Sequence, residues 1–402
     1  MQISIERTNT KKDLTFAQIQ TTLKIAVNTR LLLKDKLEGI GWFTAESLSR
    51  ITKQHPEHEF IFLFDRPFDA SFIFSSNITP LVIPPAARHP FLYYIWYEYM
   101  LPGALQKSGA DLFLSPDGLL SLSTNVPSVV VIHDLNFEHY PQDLRWLLSK
   151  YYRYYLPRFA AHAARIATVS EFSRNDICSL YNISEEKIDV VYNGAGEQFI
   201  PLSKPEQALV KAQFSGGNDY FLYVGALHPR KNLTNLFKAF DHFKESDNNG
   251  MKLLVVGARY WWTDSIKNTY ENLRYREDVL FTGRLSSADL RKVMASAFAL
   301  TYVSYFEGFG IPLVEAFYCD TPVITSNITS MPEVAGDAAI LVDPFNHLSI
   351  SDAMLKLVKD PALRNQLIEK GRLRRTSFSW QKTSEKLWAT CEKVIEMRGL
   401  RK

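Results

Sequence analysis

Two glutamates, Glu307 and Glu315, bracket the run Gly308-Phe309-Gly310-Ile311-Pro312-Leu313-Val314. The two glycines allow a tight turn and close approach of backbone to a ligand. Pro312 suits the first position of a helix. A helix N-terminus there offers unpaired N–H groups and a partial positive charge, a ready site for phosphate. Glu307 falls in the loop ahead of that helix and Glu315 about one turn into it. Both can then point into one pocket and flank the bound group. The competing reading is a plain strand–turn–helix joint with solvated glutamates, since an α/β fold has many such joints.

A second cluster is Gly225-Ala226-Leu227-His228-Pro229-Arg230-Lys231-Asn232. Cations beside a helix N-terminus oppose its dipole, so an anionic ligand accounts for Arg230 and Lys231 better than helix stability does. A diphosphate fits, because Arg can bind two oxygens at once. The alternative is a solvated basic pair on a surface turn. His133 and Asp134 close the run Val129-Val130-Val131-Ile132. A histidine at the end of a buried strand faces the ligand side of a parallel sheet and can bond a hydroxyl or a reacting group. Gly39-Ile40-Gly41 is part of a Gly-x-Gly-x-x-Gly pattern whose third glycine is Thr44. A dinucleotide fingerprint is therefore weak. A loop ahead of a helix, approaching a ligand through Gly39 and Gly41, reads better. Gly283, followed by Arg284 and Leu285, marks another strand exit suited to backbone contacts with a flat base. Ser170 reads as a helix N-cap. The aromatic stripes Phe91–Met100 and Trp146–Tyr155 are partly basic. They read as helix–sheet core, with contact to a lipid or lipid-linked acceptor as the second reading.

Positioning these residues requires a particular set of elements. Short Val- and Ile-rich runs recur at 24–27, 60–64, 81–83, 112–114, 129–132 and 166–169. A second series follows at 190–192, 220–224, 253–256, 279–281, 299–303, 323–324 and 339–342. Runs apolar on both faces are parallel strands covered by helices. Leu233, Leu236, Phe237 and Phe240 share one helical face between two of them. The pattern predicts α/β layers, with two doubly wound, Rossmann-like domains facing a central cleft. Pro201, Ser203, Pro205, Ser215, Gly216 and Gly217 interrupt it. We therefore place an N-terminal domain at 23–200, a linker at 201–218, a C-terminal domain at 219–379 and a terminal helix at 380–398.

The composition excludes several classes. The 402 residues suggest two or three domains, and 22% charged residues rule out wholesale disorder. Forty-six Lys plus Arg against 43 Asp plus Glu leave a net charge of +3, too small to imply nucleic acid. The three cysteines are far apart and form no Cys-x-x-Cys pair. That fits a reducing cytoplasm and neither a disulfide framework nor a zinc site. Met1–Leu23 lacks the apolar core of a secretion signal. No apolar run, the longest at 295–306, approaches the ~18 residues of a membrane helix. A cytoplasmic protein is expected, with room for peripheral attachment at the inner face of the cell membrane.

Together these motifs resemble the retaining nucleotide-sugar glycosyltransferases of family 4, which have the GT-B fold. Glu307 to Glu315 is similar to their signature of two glutamates separated by seven residues. The order Gly39-Ile-Gly41, His133-Asp134, Val169-Ser170-Glu171, Asn193-Gly194, Pro229-Arg-Lys-Asn232 and Glu307…Glu315 is also similar, over about 23–395. Gly39-Ile-Gly41 and Ile132-His-Asp134 resemble the mannosyltransferase branch of bacterial O-antigen and polysaccharide assembly. The resemblance implies an acceptor-side first domain and a donor-binding second one. Arg230 and Lys231 would hold the donor diphosphate, Glu307 the donor sugar, and Glu315 the ribose. Gly308, Phe309, Gly310 and Leu313 would lend backbone N–H groups, His133 would touch the transferring sugar, and Gly39 and Gly41 would approach the diphosphate. Many relatives carry Arg after the glycine matching Gly225, where this chain has Ala226. No Asp-x-Asp occurs, so no metal or other cofactor is expected. The expected donor is GDP-mannose, then a UDP-sugar, and the acceptor a saccharide or lipid-linked saccharide. A nucleotide-sugar epimerase and a two-domain sugar-binding protein share the architecture. The latter would normally carry an export signal, and the incomplete glycine fingerprint disfavours a dinucleotide oxidoreductase.

Overall fold

The computed structural model describes residues 22–247, 249–258 and 262–399. The reading of Met1–Leu23 as lacking a secretion signal falls, but for its last two residues, outside them. The first sheet holds β1 (Lys24–Asn28), β2 (Glu59–Phe64), β3 (Ile78–Val82), β4 (Leu112–Ser115), β5 (Ser128–Ile132), β6 (Arg165–Thr168) and β7 (Ile188–Val190). The second holds β8 (Tyr220–Val224), β9 (Lys252–Val256), β10 (Val279–Gly283), β11 (Ala299–Tyr302), β12 (Val323–Ser326) and β13 (Ala339–Val342). Their orders are β3-β2-β1-β4-β5-β6-β7 and β10-β9-β8-β11-β12-β13. Every pairing is parallel. Central strands such as β5 and β8 are buried along their whole length, as their unbroken apolar runs require. The order in which strands are added reverses between β1 and β4 in one sheet and between β8 and β11 in the other. Ligands of open α/β sheets bind beyond the carboxyl ends of the strands at such points.

Several boundaries differ from expectation. Edge strand β3 starts at Ile78 rather than 81 and leaves Leu81 and Val82 exposed, because one side of an edge strand has no neighbour. The edge strand β7 ends at Val190, where the sequence suggested a start. The apolar stretch 295–306 spans a helix end (Ser287–Ser296), β11 and a loop.

Residues 201–218 are not an open linker. They contain the helix Lys204–Ser215, begun by a reciprocal Ser203–Glu206 capping box and ended by Gly216 at φ 61°. It packs against the helix Ser287–Ser296 of the second domain. The prolines and glycines that interrupted the strand pattern are its start and stop signals. The terminal helix, Trp380–Met397, returns to the first domain and lies on the helix Gly39–Gln54. Thr383 Oγ1 donates to the Tyr192 carbonyl at 2.7 Å. A Cβ on Gly194 would stand 2.2 Å from the Trp380 nitrogen, so only glycine lets these chains meet. His55 stacks on Trp388 at 3.9 Å. Leu387, Val394 and Ile395 are fully buried there, each stabilising the arrangement by roughly 1.5–3 kcal/mol.

Candidate active site

The densest charge cluster lies at the β8/β11 reversal. β8 exits through Gly225, and a Cβ on the neighbouring Gly257 would fall 1.9 Å from the Gly225 carbonyl oxygen. The chain then makes a tight turn over Pro229–Lys231. Asn232, at φ 61°, fixes that turn: its Nδ2 donates to the carbonyls of Val303 (2.9 Å) and Pro344 (2.6 Å). β11 delivers Tyr302, and the following loop delivers Glu307. Glu307 Oε2 accepts from Arg230 Nη1 at 2.7 Å. Its Oε1 accepts from Lys231 Nζ at 2.5 Å and from the Tyr302 hydroxyl at 3.1 Å. Arg230 Nη1 also donates to the Phe306 carbonyl at 3.1 Å.

Two cations thus share one carboxylate. Burial raises the Glu307 pKa, but Arg230 and Lys231 outweigh it and hold the group at about 2. Burial opposes the charge on Arg230, and Glu307 more than offsets that, so it stays cationic. Burial and the Arg230 charge pull Lys231 down to about 8. The Arg230 side chain is 25% exposed while that of Glu307 is 7% exposed. In direct contact two cations meet one carboxylate, with Asp134 acting on both from farther off, so the open side beside Arg230 presents positive charge, which suits a polyanionic ligand.

The glutamate-bracketed segment forms the adjoining wall. A Cβ on Gly308 would lie 2.1 Å from the His133 carbonyl oxygen of the facing domain. Gly310, at φ 94°, caps the helix Ile311–Tyr318. That helix starts one residue ahead of expectation, with Pro312 second. Its first turn offers N–H groups for an anion, and Phe309 and Leu313 are buried behind it. Glu315 is half-buried, and no hydrogen bond or ion pair reaches its carboxylate among the described residues. Burial alone pushes it up to about 7.

His133 follows β5, and its Nε2 lies 2.8 Å from the Pro116 carbonyl. A carbonyl only accepts, so Nε2 carries the proton. Burial lowers the pKa of the ring and keeps it neutral at pH 7. Nδ1 is then a lone-pair acceptor. Phe43 packs edge-on against the ring at 5.0 Å.

Gly39 and Gly41 do not form a loop. Gly39 is the first residue of the helix Gly39–Gln54. Gly41 is buried in its first turn, where a Cβ would press on Leu37 and the Leu31 carbonyl. Arg284 Nη2 donates to the Leu37 carbonyl at 3.1 Å, which brings this helix start beside Gly283 (φ 71°). Leu285 is half-buried against the core. The structure thus joins Arg230, Lys231 and Glu307 directly, His133 to Gly308, and the Gly39 helix start to Gly283. It shows no contact between Glu315 and that charge cluster.

Several cleft residues escaped the sequence reading. Tyr302 passed as an apolar strand residue, although its place at a strand's end was the usable signal. Tyr305 donates to Asp143 Oδ2 at 2.5 Å, and His228 Nε2 to the Asp143 carbonyl at 3.0 Å. Glu333 accepts the Glu171 and Phe172 N–H groups at 2.7 and 3.0 Å, seating a carboxylate on the N-terminus of the helix Glu171–Tyr181. All three contacts join the two domains. Among the described residues, no group of three His, Cys, Asp or Glu side chains is placed to hold a metal. No described helix is long and apolar enough to cross a membrane.

Two parallel-sheet, Rossmann-like domains facing one cleft make the GT-B architecture. Residues 206–374 match the family described as glycosyl transferases group 1, and residues 39–197 match glycosyltransferase family 4. The chain is 30% identical over 259 residues to O-antigen chain mannosyltransferase B of Escherichia coli, covering 63% of this chain and 67% of that protein. It is 28% identical over 286 residues to O-antigen chain mannosyltransferase RfbU of Salmonella typhimurium, covering 71% and 76%. The crystal structure of Anabaena HepE in complex with UDP-glucose superimposes with a TM-score of 0.72 at 16% identity, over 92% of this chain and 100% of that one. The chain belongs to the family 4 glycosyltransferases.

Proposed function

We propose that this glycosyltransferase moves mannose from GDP-mannose to a saccharide or lipid-linked saccharide, with retention of anomeric configuration and without a metal. The observation that carries the reading is the cluster of Arg230 and Lys231 on Glu307, net positive and open toward the cleft. As the glycosidic bond breaks, negative charge grows on the departing diphosphate. Cations already in place, and the N–H groups opening the helix Ile311–Tyr318, stabilise that charge most in the transition state. They also supply the compensation that Ala226 cannot. Glu315, with no partner of its own, accepts hydrogen bonds from the ribose hydroxyls. Glu307, held ionised, orients the cations and contacts the donor sugar. His133 Nδ1 accepts from a hydroxyl of the transferring sugar. The acceptor hydroxyl attacks from the face that the leaving group departs, and domain closure excludes water.

The mannosyl and guanosine assignments rest on similarity to the two O-antigen mannosyltransferases. The second reading is a UDP-sugar donor, favoured by likeness in fold to a chain that binds UDP-glucose. Action at the cytoplasmic face of the cell membrane follows from a lipid-linked acceptor. Thermal stabilisation by nucleotides and nucleotide sugars, with and without EDTA, tests donor and metal together, since a ligand of the native state raises apparent stability. A shift with GDP and GDP-mannose that survives EDTA is expected. A shift with UDP compounds alone replaces the donor, dependence on a divalent ion overturns the metal-free reading, and no shift removes donor binding. The anomeric carbon–hydrogen coupling of the product tests retention: an α-linked product is expected, and a β-linked one contradicts it.

A further inference from the structure

Away from the cleft, the first domain carries an aromatic face that nothing else in the described chain covers. The helix Pro90–Ile95 and the wider turn Trp96–Met100 present Phe91, Tyr94 and Tyr99, and the helix Trp146–His162 presents Trp146, Leu147 and Tyr154. Phe91 is 64% and Trp146 68% exposed. Tyr94 meets Tyr155 at 6.2 Å between ring centres, which makes the two helices one surface. An open groove of about 820 Å³ runs between them. The sequence favoured burial for these stripes. The structure buries Trp96, Tyr97, Tyr151 and Phe159 and leaves the opposite faces in solvent.

Cations outnumber carboxylates on this surface, and the carboxylates are engaged: Glu98 accepts from the Leu122 N–H and the Ser123 hydroxyl, and Glu138 pairs with Arg153. Lys150 Nζ lies 4.2 Å over the Trp146 ring, and the Arg158 guanidinium 3.7 Å over that of Tyr154. Neither pairs with a carboxylate among the described residues. The helix Trp146–His162 contains no Asp or Glu. Arg88 and Arg145 are exposed at its margins. Exposed Trp and Tyr with interleaved, unpaired cations match the two layers of a lipid headgroup region: amphipathic rings at the acyl boundary and ammonium or guanidinium groups on the phosphates. The surface also begins at the rim of the cleft, because Asp143, three residues ahead of Trp146, holds the Tyr305 hydroxyl.

We propose that this face docks on an anionic phospholipid bilayer and holds the mouth of the cleft at headgroup level. The proposal deepens the acceptor reading above, and rests on it only for the point that the acceptor is lipid-linked.

Co-sedimentation of the full chain with vesicles of phosphatidylcholine, alone or mixed with phosphatidylglycerol, tests it without any activity assay. Binding to the mixed vesicles, weakened by salt, is expected. At about fivefold per charge, Lys150→Glu with Arg158→Glu weakens it by more than about tenfold. Phe91→Ser with Trp146→Ser also weakens it. Both pairs keep the wild-type melting temperature and the wild-type shift with GDP. Absence of sedimentation, equal binding to neutral vesicles, or variants that bind like wild type each overturn the proposal. A dimer that Trp146→Ser breaks, with no vesicle binding, assigns the face to a second copy of this chain and overturns it too. A GDP shift without vesicle binding removes the membrane surface and leaves the transferase standing. Vesicle binding without a nucleotide shift does the reverse.

Discussion

Each sheet carries an arginine–carboxylate pair at its point of reversal, and the two pairs differ in balance. In the first domain, Arg30 follows β1 and Asp117 follows β4, 2.7 Å apart, with side chains 7% and 4% exposed. Asp117 also accepts from Asn28 Nδ2 at 2.8 Å and from the Tyr97 hydroxyl at 3.2 Å. Arg30 donates in addition to the Ala87 carbonyl at 3.1 Å. One cation meets one anion, and water is excluded. In the second domain, two cations meet one anion, and Arg230 keeps a quarter of its side chain in solvent. Equivalent positions in the two sheets therefore hold a closed structural pair and an open, charge-excess one. Burial and polarity at a strand's end do not by themselves make a binding site. Unbalanced charge with an exposed side is the mark of the anion site proposed for the second pair.

The comparison can be broken by removing each arginine in turn. Arg30→Ala leaves Asp117 buried and without its cation, a loss of about 3–5 kcal/mol in stability. Chemical denaturation reads that loss, and GDP affinity of the folded fraction stays near wild type. Arg230→Ala leaves Lys231 to neutralise Glu307, so stability changes little. Turnover falls about 10²–10³-fold, as expected for one lost oxyanion-stabilising donor. Equal loss of stability in both variants would erase the distinction between the two pairs.

Titration sharpens it. Lys231 loses its proton near pH 8 in the free enzyme, so donor affinity falls as pH rises through about 8. Lys231→Arg removes that limb of the profile, which nucleotide titration across pH 6–9.5 at about constant ionic strength would show. Glu315 gives the smallest effect. Its folded pKa of about 7 lies above the ordinary carboxylate value, so the folded state binds the proton more tightly and is disfavoured as pH rises from about 4.5 to 7. Glu315→Gln therefore raises the melting temperature more at pH 8 than at pH 5, while weakening GDP binding. A uniform shift at both values would place the carboxylate in solvent.

The strands and the turns at their carboxyl ends were legible because they are local. An unbroken apolar run declares a central parallel strand, and the order of glycine, cation and carboxylate declares a strand exit. Edge strands were placed less well, since half their surface has no partner and their pattern is diluted. The helix Lys204–Ser215 was hidden by the prolines and glycines that bound it, although Ser203 and Glu206 at capping-box spacing were readable. Gly39 and Gly41 were placed in a loop ahead of a helix, as backbone approaching a ligand, and glycine does disfavour helix interiors. At a first turn that cost is small, and Gly41 is required there by Leu31 and Leu37. The Arg30–Asp117 pair joins positions 87 apart in sequence with no local signature. Nor could helical periodicity say that Trp380–Met397 would choose the first domain, since an apolar stripe specifies burial and not its partner.

Calorimetric titration of GDP and of guanosine into wild type, Lys231→Ala and Arg230→Ala, all in EDTA, tests the central claim most directly. Wild type should bind GDP far more tightly than guanosine, and each variant should lose most of that difference while keeping its affinity for the nucleoside. A diphosphate contribution that survives both substitutions would contradict the account and move the anion site away from the Arg230–Lys231–Glu307 cluster.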